Sequence, residues 1–227
     1  MIKAIIFDLD DTLISEKEFV ESGFLAVSKY VSSKTRTYTT EYLLETLQVL
    51  HKISSDKVFN RMNEKLGLGA DISVKELVDV YRNHKPRISL YKDVLPVIKK
   101  LKEQNYKLGI ITDGYLETQK NKIDSLNIRD IFDAIIITDE LGRDFWKPSP
   151  VPYELMSKRL NIDYSEMMYI GDNPKKDFYI SSIYPVITLR INRLGYYNNI
   201  EYYKGIKENF EIDSFSQIFN ILNKVNI

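Results

Sequence analysis

Apolar positions fall along this chain in two rhythms. Residues 2 to 7 (IKAIIF) are rich in β-branched residues and show no alternation, which predicts a strand buried on both faces. From residue 15 the spacing turns helical. EFVESGFLAVSKYV sets Phe19, Phe24, Val27 and Val31 near one face, and EYLLETLQVL and DKVFNRMNEKLGL continue in the same style until Gly67 and Gly69 break the run. SVKELVDVYRNH restarts it, with Ser73 as N-cap and Glu76 three residues later at capping-box spacing. No strand is predicted between residues 15 and 88.

After Pro86 the pattern alternates. VLPVIKKLKEQ predicts an amphipathic helix, and KLGIITDG an apolar strand ending at Thr112, Asp113 and Gly114. ETQKNKIDSLNI reads as a polar-faced helix and AIIITDE as another buried strand. VPYELMSKRLNI predicts a helix, EMMYIGDN a strand closing on a Gly-Asp turn, and PVITLRI a last strand. Strands separated by helices of about 10–15 residues argue for a parallel sheet with right-handed crossovers. The expected architecture is α/β: a parallel sheet flanked by helices over residues 1–14 and 89–227, with an inserted all-helical domain over 15–88.

Composition narrows the partners. Lys plus Arg equals Asp plus Glu at 32 each, so no global field favours nucleic acid or an acidic membrane surface. The absence of cysteine rules out disulfides, thiolate metal sites and thiol nucleophiles, and it agrees with a reducing compartment. No apolar run approaches the roughly 18 residues of a membrane helix, and MIKAIIFDLD does not read as a secretory signal. A soluble, cytoplasmic protein is expected, monomer or homodimer, with no nucleic-acid or membrane partner. The tyrosine-rich stretch LGYYNNIEYYKGIK (194–207) has too little basic density for a single-strand stacking surface, and packing is the expected use. His51 and His84 are too far apart, and too short of neighbouring ligands, for a zinc site, and are expected at the surface.

In parallel α/β sheets ligands bind beyond the carboxyl ends of the strands. The predicted strand ends deliver Asp8 and Asp10, then Thr112 and Asp113, then Gly171 and Asp172 to that edge. Lys147 follows the AIIIT strand after a short loop, in FWKPSP. Each residue alone has an ordinary reading: a strand-ending Asp caps the next helix, a Thr shapes a turn, a Lys beside prolines is solvated. Arriving together, they describe one polar site. Asp8, Asp10 and Asp11 in AIIFDLDDTLI also repel one another, and a metal ion is the natural offset.

These segments resemble the signature of the haloacid dehalogenase-like hydrolase superfamily: DxDxT, a hydrophobic strand ending in Ser or Thr, a Lys, then GDxxxxD. They stand here as DLDDT (Asp8 to Thr12), GIITDG (Thr112), WKPSP (Lys147) and GDNPKKD (with Asp172 and Asp177). The resemblance covers the whole core, implies a Rossmann-like fold, and places the family's smaller cap domain at the helical insert.

It also implies roles. Asp8 is the expected nucleophile, forming an aspartyl-phosphate, and Asp10 the general acid and then base. Mg²⁺ is expected on Asp8, Asp172 and the backbone carbonyl of Asp10, with Asp177 behind them orienting a water or Lys147. The Thr112 hydroxyl and backbone N–H groups near Asp113 and Gly114 would cradle phosphate, and Lys147 would supply positive charge. No role is implied for the Asp11 side chain, and Asn173 either touches phosphate or shapes the turn. The implied substrate is a small phosphorylated metabolite and the implied activity a phosphatase. A phosphomutase of the β-phosphoglucomutase type uses the same four motifs and stays open. A dehalogenase would need neither a metal nor an acid at position 10.

Overall fold

The computed structural model describes residues 1–193, 197 and 200–226. Its sheet is built from the apolar runs. β1 is Ala4–Phe7, β2 Lys107–Thr112, β3 Ala134–Ile137, β4 Met167–Gly171, β5 Ile187–Ile191 and β6 Phe210–Ile212. All pairings are parallel, in the order β3-β2-β1-β4-β5-β6. β1 is therefore central: Phe7 lies level with Ile110 of β2 on one side and Ile170 of β4 on the other. The chain runs outward from β1 in both directions, so the sheet has its switch point here, where such folds bind ligands.

Burial explains why these runs lack alternation. β1 is buried at every position, because both of its faces are covered. Ile6 belongs to a core with Ile111, Tyr153, Met156 and Tyr169. By the pleat Phe7 points the other way, where its ring meets Phe132 and Phe215 edge-on at 6.1 and 5.6 Å. Full burial of such a ring is worth about 1.5–3 kcal/mol.

The chain divides into two compact units, Met1–Glu16 with Ser89–Ile227, and Lys17–Ile88. Among the described residues the second holds four α-helices, α1 (Glu16–Thr35, beginning one residue earlier), α2 (Thr40–Ile53), α3 (Val58–Leu66) and α4 (Val74–Asn83), and a short 3-10 turn at Leu68–Ala70. Phe24, Val27 and Val31 pack there with Leu43, Leu47, Met62 and Leu77. The Ser73 hydroxyl accepts from the Glu76 N–H (3.2 Å) and the Glu76 carboxylate from the Ser73 N–H (2.8 Å), a complete capping box. The first unit adds α5 (Val94–Glu103), α6 (Leu116–Leu126), α7 (Val151–Leu160) and α8 (Ile218–Val225).

Three expectations needed correction or fall outside what is described. PVITLRI is not the last strand: β6 follows it, three residues at the sheet edge with a polar centre, too short to show a period. His84 is half-buried in the helical unit, bonded to the Tyr81 carbonyl and the Ser22 hydroxyl and packed on Phe19; His51 is likewise half-buried against Phe24. In the tyrosine-rich stretch, Leu194, Gly195, Tyr196, Asn198 and Asn199 lie outside the described residues. Of its remainder, the Tyr202 hydroxyl bonds Arg190 and Glu208, and Tyr203 packs edge-on against Tyr179. Among the described residues no helix is long and apolar enough to cross a membrane.

Candidate active site

Asp8 is the first residue past β1, and its N–H still donates to the Ile170 carbonyl of β4 (2.8 Å). The Leu9 N–H returns to Asp8 Oδ1 (2.8 Å), and the residue is 1% exposed. Lys147 Nζ lies 2.9 Å from Asp8 Oδ1 and donates to Asp177 Oδ1 (2.9 Å) and the Tyr169 hydroxyl (2.7 Å). Three ammonium N–H groups thus meet three partners, which a fully enclosed lysine requires. Burial alone would push the Asp8 carboxyl up, but Lys147 and Lys176 outweigh it and hold it below the usual range. Burial would likewise pull Lys147 down, and Asp177 and Asp8 hold it up. Asp8 is a carboxylate facing an ammonium.

Asp172 follows β4 at the same edge. Burial, then the Asp177 and Asp8 carboxylates, push it well above the normal range for an aspartate. Carboxylate oxygens of Asp8, Asp172 and Asp177 lie within 4.8 Å of one another. Asp177 is already engaged: Oδ1 accepts from Lys147 and Tyr169, and Oδ2 from the Asn173 N–H (2.9 Å). Asp8 Oδ2 is buried and accepts no hydrogen bond among the described residues. An orphaned carboxylate oxygen beside a second crowded carboxyl is what a hard divalent cation with oxygen ligands would satisfy. Gly171 makes the arrangement possible, since a Cβ there would stand 2.5 Å from Asp177 Oδ2.

Thr112 ends β2 fully buried, level with Ile137 of β3. Asp113 Oδ1 accepts from the Thr138 hydroxyl (2.8 Å) and the Lys147 N–H (3.1 Å), tying the ends of β2 and β3 to the lysine loop. Asn173 Oδ1 accepts from the Lys175 N–H (3.0 Å), so this side chain shapes the turn. A residue not singled out from the sequence joins the group: Lys176 Nζ is 3.5 Å from Asp8 Oδ2 and 3.4 Å from Asp113 Oδ2. Within GDNPKKD it reads as a solvated charge; its place one residue before Asp177 was the available signal.

The Asp10 carboxylate bonds Lys122 and Gln119 of α6. That helix reads as polar-faced from its residues; in the structure the polar Gln119 and Lys122 are buried. Their spacing of three, just after the Thr112 strand, was the only sequence sign that they share a face. Asp11 acts locally. It takes φ +51°, and its Oδ1 accepts from the Glu16 N–H (2.9 Å) at the start of α1.

The family model for haloacid dehalogenase-like hydrolases matches residues 5–182. A glyceraldehyde 3-phosphate phosphatase of Methanocaldococcus jannaschii is 30% identical over 238 residues, 99% of each chain. A pyrophosphatase PpaX of Bacillus cereus is 26% identical over 178 residues, 76% of this chain and 75% of its own. Among solved structures, a 2-haloacid dehalogenase of Pseudomonas syringae overlays 99% of each chain with a TM-score of 0.67 at 21% identity, a likeness of fold. With the family match running from β1 past Asp177, the chain belongs to the haloacid dehalogenase-like hydrolases.

Proposed function

We propose that this phosphatase hydrolyses phosphomonoesters of small metabolites through an aspartyl-phosphate on Asp8. The observation that carries the reading is the Asp8 carboxylate itself: buried, ionised against Lys147, with Oδ2 free of hydrogen bonds. A carboxylate attacks phosphorus without a base to deprotonate it. In the first step an Asp8 oxygen bonds to phosphorus while the ester P–O bond breaks, and Asp10 gives its proton to the departing alkoxide. In the second, Asp10 takes a proton from water, the water oxygen bonds to phosphorus, and the bond to Asp8 breaks. Thr112 donates to a phosphoryl oxygen, as do backbone N–H groups near Asp113 and Gly114, while Lys147 opposes the accumulating negative charge. Asp8, Asp172 and the Asp10 backbone carbonyl would hold Mg²⁺, which when bound supplies positive charge against the repulsion between two anions.

The helical insert, joining the chain between Asp11 and β2, is the part we assign to substrate choice. Glyceraldehyde 3-phosphate, named for one relative, is the first ester to test, and pyrophosphate, the anhydride that another relative's name points to, is tested beside it. Phosphate release from a panel of such compounds, with and without Mg²⁺, is measured beside Asp8→Asn. The parent should release phosphate to water rather than return it to the sugar, and Asp8→Asn should lose at least about 10⁴-fold in kcat. A parent inactive on every compound, or an Asp8→Asn variant equal to it, would overturn the reading.

A further inference from the structure

α6 turns two polar side chains inward. Gln119 and Lys122 are 1% and 3% exposed and lie three residues apart, on one face of the helix. Lys122 Nζ donates to both oxygens of Asp10, at 2.6 and 2.8 Å. Gln119 Nε2 donates to Asp10 Oδ2 (2.9 Å), with Thr112 Oγ1 at 3.0 Å and the Asp113 carbonyl also in reach. Three acceptors around one amide nitrogen fix which way the amide faces, because its oxygen would be repelled there. Gly114 keeps the space open: at φ +136°, a Cβ would come 2.8 Å from Gln119 Nε2.

We infer that Lys122 and Gln119 are positioning residues that hold the Asp10 carboxyl in register with Thr112 for its proton transfers. The inference rests on the function proposed above. Each carboxylate oxygen offers two lone pairs. On Oδ2 both are taken, by Lys122 and Gln119; on Oδ1 Lys122 takes one. Oδ1 is therefore the atom at which the proton arrives from water and from which it leaves toward the ester oxygen. The contact with Gln119 also occupies a lone pair of Thr112 Oγ1, so the Thr112 O–H points away from Gln119 and is available to a phosphoryl oxygen.

Hydrolysis of para-nitrophenyl phosphate by the full chain with Mg²⁺ tests this, since nitrophenolate departs without a proton. Only the water-activating step then depends on Asp10. Lys122→Met should lower kcat about 10²-fold and leave kcat/KM within about threefold, as expected when a catalytic group is misplaced in one step alone. A burst of nitrophenolate equal to the enzyme present should precede slow turnover. Lys122→Arg, still a two-pronged cation, should recover part of kcat. Gln119→Leu should give the same burst with a smaller fall, and it carries the test if Lys122→Met does not fold. Parallel loss of kcat and kcat/KM without a burst, or no change at all, overturns the inference. Asp10→Asn separates the levels. If it bursts while the Lys122 and Gln119 variants do not, only the inference falls. If it shows no burst, or the parent releases no nitrophenolate, the proposed function falls and takes the inference with it.

Discussion

Asp8 and Asp10 are two residues apart, yet different lysines from different elements hold them. Lys147, from the loop between β3 and α7, is completely enclosed and shared among Asp8, Asp177 and Tyr169. Lys122, from α6, reaches Asp10, whose side chain is still 18% exposed. The same pair of residue types therefore does two different things. Around Asp8 the ion pair is part of the packing of the sheet edge, and removing its cation strands two buried carboxylates. Around Asp10 a carboxylate left alone can take up water. Among the described residues one oxygen of Asp8 is left without a hydrogen bond, whereas both oxygens of Asp10 are engaged.

That contrast can be broken by measurement. Lys147→Met should destabilise the protein by about 3–5 kcal/mol, the cost of leaving buried charge unpaired, and lower the melting temperature by about 10 °C. Lys122→Met should lose about 1–2 kcal/mol, because solvent reaches the abandoned Asp10. Equal losses in thermal denaturation would mean that the two centres are not different in kind. The smallest effect concerns Lys176, which adds a positive charge beside Asp8 Oδ2. Lys176→Met should bind Mg²⁺ more tightly by about 1 kcal/mol, roughly fivefold, by the Coulomb energy of one charge a few ångströms away in a hydrated setting. Calorimetry showing weaker binding would instead make Lys176 a support of the cation site.

The strand ends were legible because burial on both faces writes itself as an unbroken apolar run, and the first polar residue after each run marks the sheet edge. Asp8, Thr112 and Asp172 follow from that rule, and the helical insert from its 3.6-residue period. Gln119 and Lys122 were not legible for the converse reason. ETQKNKIDSLNI has few apolar residues, and a helix of that composition normally turns its polar face to water. Here the face turns inward because Asp10, more than a hundred positions earlier, compensates the buried ammonium. Lys176 hid the same way, its place set by Asp8 and Asp113 on two other segments. β6 was missed because an edge strand of three residues has no pattern to read.

The central place of β1 has a further consequence, for synthesis. β1 pairs with neighbours made much later than itself: Ala4 lies opposite Lys107 on one side and Met167 on the other. Contacts so remote along the chain form slowly. During synthesis AIIF therefore emerges well before either neighbour is available. The helical insert, whose contacts are local, can fold meanwhile, while β1 stays without its second neighbour until β4 emerges.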